Sequence, residues 1–383
     1  MKAYRFLIAA LLLIIPLFAK AQPAAGEGQR LTPQVMARMF PAGVVSPEYN
    51  DDGSVTFRYQ SAEAKEVKLD CQMLSQAAPM YKGADGVWTI TVTPGKPDIY
   101  PYCFLVDGKQ VADPNNMFIF PNEGFKNSLA DVRGPVPSVQ DIQDVPHGKV
   151  SYRYYHSTTC GIDRVMCVYT PAGYDPAGKE KLPVLYLIHG MTDTYETWFK
   201  VGHMNNILDN LIAQGKAKEM IVVMPYGYMM NGTPAPTSME AAGMYTDFTR
   251  ELTECVMPFV ERNFRTLNRR ESRAIAGFSR GGGQSLFAAY SRPDLFGWLA
   301  SYSAYLTPEV MDAYFPQVGK TVAGLKLMWF GVGTSDFLYQ NVLDHQAYFD
   351  ARGISYEKMF TEGGHTWMNA RTYLAETLQK FFK

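Results

Sequence analysis

Cysteine is scarce: Cys71, Cys103, Cys160, Cys167 and Cys255 are the only five in 383 residues. So few thiols make no disulfide framework, and the odd count leaves at least one without a partner in the chain. No two stand at C-x-x-C spacing, the six histidines are scattered, and there is no H-E-x-x-H. No metal site is therefore expected. Glycine patterns of the dinucleotide-binding and phosphate-loop kinds are missing too, so no cofactor is expected. Neither sign of charge prevails: 36 Lys and Arg face 37 Asp and Glu, a net charge of -1 with no long basic run. That balance excludes an electrostatic nucleic-acid binder and gives no reason to expect an anionic membrane as partner. Beyond the N-terminal segment no apolar run is long enough to span a bilayer. Core material is abundant: 47% hydrophobic residues, 24 Tyr and 22 Phe, against 19% charged. Such a chain can bury a full core, and its length suggests two or three domains.

The first residues, Met1-Lys2-Ala3-Tyr4-Arg5, are a short basic start. Residues 6–18 are almost wholly apolar, and Ala19-Lys20-Ala21 offers small residues around a cleavage point. This reads as a secretory signal peptide over residues 1–21, with an uncleaved anchor as the competing reading. The mature protein is expected to be exported, periplasmic or extracellular, with no membrane association after cleavage.

Residues 22–133 form the expected front domain. Val55, Phe57 and Tyr59 alternate with polar residues, as do Trp88, Ile90 and Val92. Tyr100, Tyr102, Phe104 and Val106 continue the period of two. One apolar face per strand predicts half-buried antiparallel strands in a small β-sandwich. Turn signals at Asp52-Gly53, Asp85-Gly86 and Asp107-Gly108 separate them. The runs SPEYNDDGSVTFRYQSAEAKEVKLD and GVWTITVTPGKPDIYPYCFLVDG resemble the early-set immunoglobulin-like module that precedes many α-glucan enzymes and some esterases. That resemblance leaves two roles open, glycan binding and packing on a catalytic domain. Trp88, on the apolar face, reads as core. Residues 134–150 carry three prolines and little periodicity, which reads as a linker with His147 solvated.

From residue 151 to 383 the pattern changes. Apolar runs at 165–169, 182–188, 220–224, 273–276, 325–332 and 354–360 alternate with amphipathic helical stretches. That alternation predicts a mostly parallel, doubly covered sheet with chemistry beyond the carboxyl ends of its strands. Gly277-Phe278-Ser279-Arg280-Gly281 is a G-x-S-x-G between an apolar strand and a helix, the context in which the motif makes an exposed nucleophile. A serine hydroxyl needs a base and a group that orients the base. His365, in Gly363-Gly364-His365 after the last strand, is the expected base, and a mobile Gly-Gly entry would let it swing over Ser279. The other histidine beyond Ser279, His345, lies in a helical stretch and reads as helix surface. Asp336, in the loop after 325–332, is the expected orienting acid. Asp344 and Asp350 read as solvated helix residues, and Asp247 as a capping or surface acid. Backbone donors for an oxyanion are expected from Arg280 and Met191, with His189 a structural hydrogen-bonder. Trp198, Tyr226, Tyr228 and Trp367 are candidate substrate contacts, with core packing the competing reading of each.

The motifs LPVLYLIHGMTDTYETW, MIVVMPYGY, AIAGFSRGG, GVGTSDFLYQN and EGGHTWMNARTYL, in that order, resemble the esterase-D-like group of α/β-hydrolases. Within it they resemble carbohydrate esterase family one, the feruloyl and acetyl-xylan esterases. The resemblance implies an α/β-hydrolase domain, a triad of Ser279, Asp336 and His365, and action on acyl esters of plant cell-wall polysaccharide, feruloyl esters foremost. Two departures stand out. Arg280 occupies a position where relatives usually carry a small residue or Met, and Ala370 replaces a second tryptophan after the histidine motif. Acetyl-xylan esterase and siderophore-ester hydrolase of the enterochelin type remain as alternatives. Outside the enzyme class, so does a carbohydrate-binding protein with an inactive hydrolase domain. The triad and both oxyanion donors lie beyond residue 150, which predicts that the front domain is dispensable for small esters.

Overall fold

Two antiparallel sheets begin the computed structural model, which describes residues 43–229 and 238–383. The expected signal peptide over residues 1–21 lies outside the described residues. One sheet joins Glu48–Tyr49, Val55–Gln60, Val87–Val92 and Tyr81–Lys82; the other joins Ala78–Pro79, Val67–Cys71, Asp98–Val106 and Lys109–Val111, with Ser128–Val132 paired to Asp98–Val106. Alternate residues from both sheets meet in one core, including Phe57, Leu69, Trp88, Tyr102 and Phe104. Trp88 is buried there and its indole N–H donates to the Ser61 carbonyl at 3.0 Å.

The strand Asp98–Val106 departs from the half-buried expectation. Its first seven residues are all buried. Tyr100, Tyr102 and Phe104 face the sandwich core, whereas Ile99 joins the core of the following domain. An antiparallel strand can be solvated on one face only if nothing covers that face. Here the second domain covers it.

That domain is built on an eight-stranded sheet in the order Lys149–Ser157, Ile162–Thr170, Ile221–Pro225, Val184–Ile188, Arg273–Phe278, Trp298–Tyr302, Leu327–Gly333, Glu357–Thr361. The first pairings, up to Ile221–Pro225, are antiparallel and the rest parallel. The central strands are buried at every position, as expected of a sheet covered on both faces. Helices Met204–Ala213 and Trp367–Leu378 pack on one face, Arg280–Ser291 on the other. Lys149–Ser157 and Trp298–Tyr302 carry no clear signal in the sequence. The first is an exposed edge strand without an apolar run; the second is short and interrupted by Ala300 and Ser301.

Residues 45–383 form one compact unit. Ile99, Phe120 and Leu129 of the front domain share a core with Leu187, Trp198, Tyr302 and Trp367. The buried Arg371 guanidinium donates to Asp98 at 2.7 Å and to the Ile99 carbonyl at 2.9 Å. The stretch expected as linker is also bound down: Asn210 donates to the Val139 and Asp141 carbonyls, both at 2.8 Å. His147, expected as solvated, keeps 42% of its side chain exposed but bonds Asp209 at 3.1 Å. All five cysteines are free thiols.

Candidate active site

The strand Arg273–Phe278 stops at Ser279, whose φ of 56° and ψ of -124° lie outside the regions open to most side chains. Two backbone bonds hold that turn. Ser279 N–H donates to the Tyr302 carbonyl at 2.8 Å, and Gly283 N–H, in the first turn of Arg280–Ser291, donates to the Ser279 carbonyl at 3.1 Å. The flanking glycines are needed for close approach. A Cβ on Gly277 would stand 2.3 Å from the Gly281 carbonyl oxygen, and one on Gly281 would stand 2.4 Å from the carbonyl oxygens of Ile188 and His189.

The parallel neighbour Val184–Ile188 delivers His189-Gly190-Met191 to the same place. A Cβ on Gly190 would lie 3.5 Å from the Ser279 Cβ. Among the described residues, no backbone acceptor takes the N–H of Met191 or of Arg280. His189 is structural: Gly227 N–H donates to its Nε2 at 2.9 Å, which leaves Nδ1 as donor to the Gly190 carbonyl, also at 2.9 Å. Burial pushes its imidazole down to about 4, so it stays neutral. Asp193, 4% exposed, accepts the Gly190 N–H at 3.1 Å. Burial pushes its carboxyl up to about 7, against the opposing pull of hydrogen bonds from Asn122 and Gly190.

His365 and Asp336 are brought together. The two Asp336 oxygens lie 2.9 and 3.1 Å from His365 Nδ1, and one of them also accepts the Leu338 N–H at 2.8 Å. Burial acts to raise the Asp336 carboxyl, but the hydrogen bonds from His365 and Leu338 outweigh it and hold it below its ordinary value. The imidazole stacks on Phe278 with ring centroids 4.6 Å apart, and Phe337 stands 4.6 Å away at a tilt. The Gly-Gly entry is not a free hinge. Ser335 N–H donates to the Gly363 carbonyl at 2.9 Å, and the Asn369 side chain donates to the Glu362 and Gly364 carbonyls. A Cβ on Gly333 would sit 2.3 Å from the Gly363 carbonyl oxygen, so the two loops are packed against each other.

His345 corrects another expectation. It is fully buried rather than on the helix surface, because the helix Tyr339–Asp350 turns that face inward and Nδ1 bonds the Leu306 carbonyl at 2.8 Å. Asp247, Asp344 and Asp350 are exposed, as expected.

Ser279, His365, Met191 and Arg280 line one cavity of about 470 Å³. Its walls are mostly apolar and aromatic, with Phe120, Phe125, Phe278, Tyr305, Phe337 and Trp367 among them. The four candidate substrate aromatics divide. Trp367 lines the cavity. Trp198 is 1% exposed, donates to the Ile188 carbonyl at 2.9 Å and packs on Trp367, so it is core. Tyr226 and Tyr228 stand behind the wall: Tyr226 donates to Glu123, and the Tyr228 hydroxyl accepts the Thr192 N–H. The Arg280 guanidinium lies 4.2 Å from the centroid of the Tyr228 ring. Among the described residues it forms no ion pair, so the compensating carboxylate that a cation at a helix N-terminus calls for is absent.

Several residues of the site escaped sequence reasoning. Arg164, buried, donates to the Tyr226 and Tyr228 carbonyls at 2.7 and 2.6 Å and fixes that loop. Phe120, Phe125 and Asn122 come from the front domain, where no local motif marks them. The apolar run of residues 117–120 is no guide, since Met117, Phe118 and Ile119 are exposed and only Phe120 is buried.

Residues 157–343 match the family described as putative esterase. The endo-1,4-beta-xylanase/feruloyl esterase of Xylanibacter ruminicola is 28% identical over 345 residues, 88% of this chain and 46% of that protein. The endo-1,4-beta-xylanase Y of Acetivibrio thermocellus is 26% identical over 68% of this chain and 26% of its own length. The chain thus spans less than half the length of these relatives. Among solved structures, the CE1 ferulic acid esterase of Anaeromyces mucronatus in complex with ferulic acid matches with a TM-score of 0.57 and 25% identity, over 64% of this chain and 94% of that one. The enterobactin esterase of Shigella flexneri covers 86% of this chain and 93% of its own, with a TM-score of 0.61 and 16% identity, a likeness of fold. By fold the chain is an α/β-hydrolase, similar over residues 157–343 to the family described as putative esterase and, among solved structures, to CE1 ferulic acid esterases.

Proposed function

We propose that this chain is an exported serine carboxylesterase that removes feruloyl groups from plant cell-wall polysaccharide such as arabinoxylan. The observation that carries the reading is His365, held by the buried Asp336 at 2.9 Å and lining one cavity with Ser279 at its strained turn. In this reading Ser279 Oγ attacks the ester carbonyl carbon while His365 Nε2 takes its proton. Asp336 fixes the Nδ1–H tautomer and stabilises the imidazolium that forms. The N–H groups of Met191 and Arg280 hold the oxyanion, each donor being worth roughly 10²–10³ in rate in such sites. His365 then protonates the departing sugar oxygen, and water, activated by the same imidazole, frees the acid from the acyl-enzyme. A cavity of about 470 Å³ with aromatic walls suits an aryl acyl group better than an acetyl group alone. The xylanase/feruloyl esterase and ferulic acid esterase relatives support the same substrate class. The test is product analysis on feruloylated arabinoxylan with Ser279→Ala as control. Ferulate released by the native chain and not by the variant is expected; acetate alone would move the assignment to an acetyl-xylan esterase.

A further inference from the structure

The loop carrying Met191 is not held by the hydrolase domain alone. Asp193 uses its two oxygens in two directions: one accepts the Gly190 N–H at 3.1 Å, the other the Asn122 side-chain amide at 2.9 Å. Asn122 is buried and itself fixed, since its Oδ1 accepts the N–H of Gly124 at 2.8 Å and of Phe125 at 3.2 Å. The same front-domain segment docks on the loop at three more points. Glu123 N–H donates to the Thr192 carbonyl at 2.7 Å. The Thr197 hydroxyl donates to the Pro121 carbonyl at 3.1 Å. Gly124 lies so close to Thr192 that a Cβ there would stand 2.8 Å from Thr192 Cγ2. Thr192 has a φ of 62°, a conformation a β-branched residue keeps only when its surroundings impose it. Phe120 and Phe125, with ring centroids 4.9 Å apart, complete the wall of the cavity.

We propose that segment 120–125 of the front domain is a working part of the esterase site. Asn122 is a positioning residue that, through Asp193, aims the Gly190-Met191 backbone at the oxyanion. Phe120 and Phe125 set the preference for an aromatic acyl group. The inference rests on the esterase reading above. Its physical basis is that an oxyanion donor acts only when preorganised, and a misplacement of about 1 Å is enough to lose roughly 100-fold in rate. Asn122 touches no reacting atom, so its removal loosens the donor without emptying the substrate pocket. Phe125 does the opposite.

The experiment compares the full chain with Asn122→Ala, with the exchange Asn122→Asp/Asp193→Asn, and with Phe125→Ala. Each is assayed on p-nitrophenyl acetate and p-nitrophenyl ferulate, with inhibition by phenylboronic acid, whose tetrahedral serine adduct needs the same donors. Asn122→Ala is expected to lower kcat on both esters by about 10- to 100-fold. KM should stay and boronate affinity should fall in step. The exchange reverses donor and acceptor between positions 122 and 193, leaves the backbone N–H groups of Gly190, Gly124 and Phe125 donating to side-chain oxygens, and restores kcat. Phe125→Ala raises KM for the ferulate several-fold more than for the acetate, without the loss of boronate affinity seen in Asn122→Ala; equal effects on the two esters overturn the role of Phe125 in acyl preference. An Asn122→Ala variant with native kcat, or one whose loss follows a lowered Tm and is not repaired by the exchange, overturns the inference while the esterase reading stands. A native chain inert on both esters overturns both.

Discussion

Ser279, His365 and Asp336 come from three separate loops, yet each is held by contacts that leave little freedom. Asp336 is the most confined, with its side chain wholly buried and both oxygens engaged. Asp336→Asn should therefore fold, but it presents the wrong hydrogen-bonding atom to Nδ1. We expect kcat to drop by roughly 10⁴, against around 10⁶ for Ser279→Ala, about 8 kcal/mol. Steady-state rates on a p-nitrophenyl ester check the order; a crippling effect from Asp344→Asn instead would displace Asp336 as the acid. Arg280 is the second test at this scale. Its side chain lines the cavity and stacks on Tyr228 with no carboxylate partner among the described residues. Arg280→Met keeps the backbone donor. Acetyl-ester turnover should survive, while kcat/KM on a feruloyl polysaccharide falls by about 1–3 kcal/mol, the scale of a lost charged hydrogen bond. Equal effects on both substrates would remove the guanidinium from specificity.

At the scale of elements, the sheet was legible where an apolar run leads into a glycine turn, as at 182–188 before His189-Gly190 and at 273–276 before Gly277. The motif singled out Ser279 and chain order pointed to Asp336 and His365, which the fold brings within hydrogen-bond distance of each other. What was not legible depends on contacts between distant segments. The burial of His345 follows from which way its helix faces, which a stretch rich in polar residues does not announce. Trp198 stayed open between substrate contact and core because composition cannot distinguish a ring beside the site from one beneath it. Asp193 was invisible because its partner, Asn122, lies 71 positions away. That carboxyl makes a pH prediction. Its folded pKa is raised to about 7, so the native state binds a proton that the unfolded chain has released. The associated stability is fully present below the ordinary carboxyl range and is lost as pH rises through about 7. Asp193→Asn should flatten the fall in Tm between acid and neutral pH; an unchanged difference between Tm at the two ends would show that Asp193 is ionised throughout.

On the scale of the whole molecule, the front domain is not an appendage. The turn and strand pattern marked a boundary near residue 134, and dispensability for small esters seemed to follow. The shared core through Ile99, Phe120 and Leu129, and the buried Arg371–Asp98 pair, argue otherwise. Removing residues 1–133 would expose that core and leave Arg371 without its carboxylate, so a poorly soluble or unfolded product is expected. Asp98→Ala isolates one contact: stranding a buried cation typically costs about 3–5 kcal/mol, readable as a fall in unfolding midpoint in urea. A midpoint within error of the native one would mean that the pair contributes nothing. The central claim is chemical, that the acyl group passes through Ser279. It is tested most directly by mixing the protein with excess p-nitrophenyl acetate, quenching in acid within the burst, and mapping the acylated peptide by mass spectrometry. The account predicts acetyl on the peptide containing Ser279, and neither label nor burst in Ser279→Ala. Acetyl on any other residue, or an undiminished burst in that variant, would contradict it.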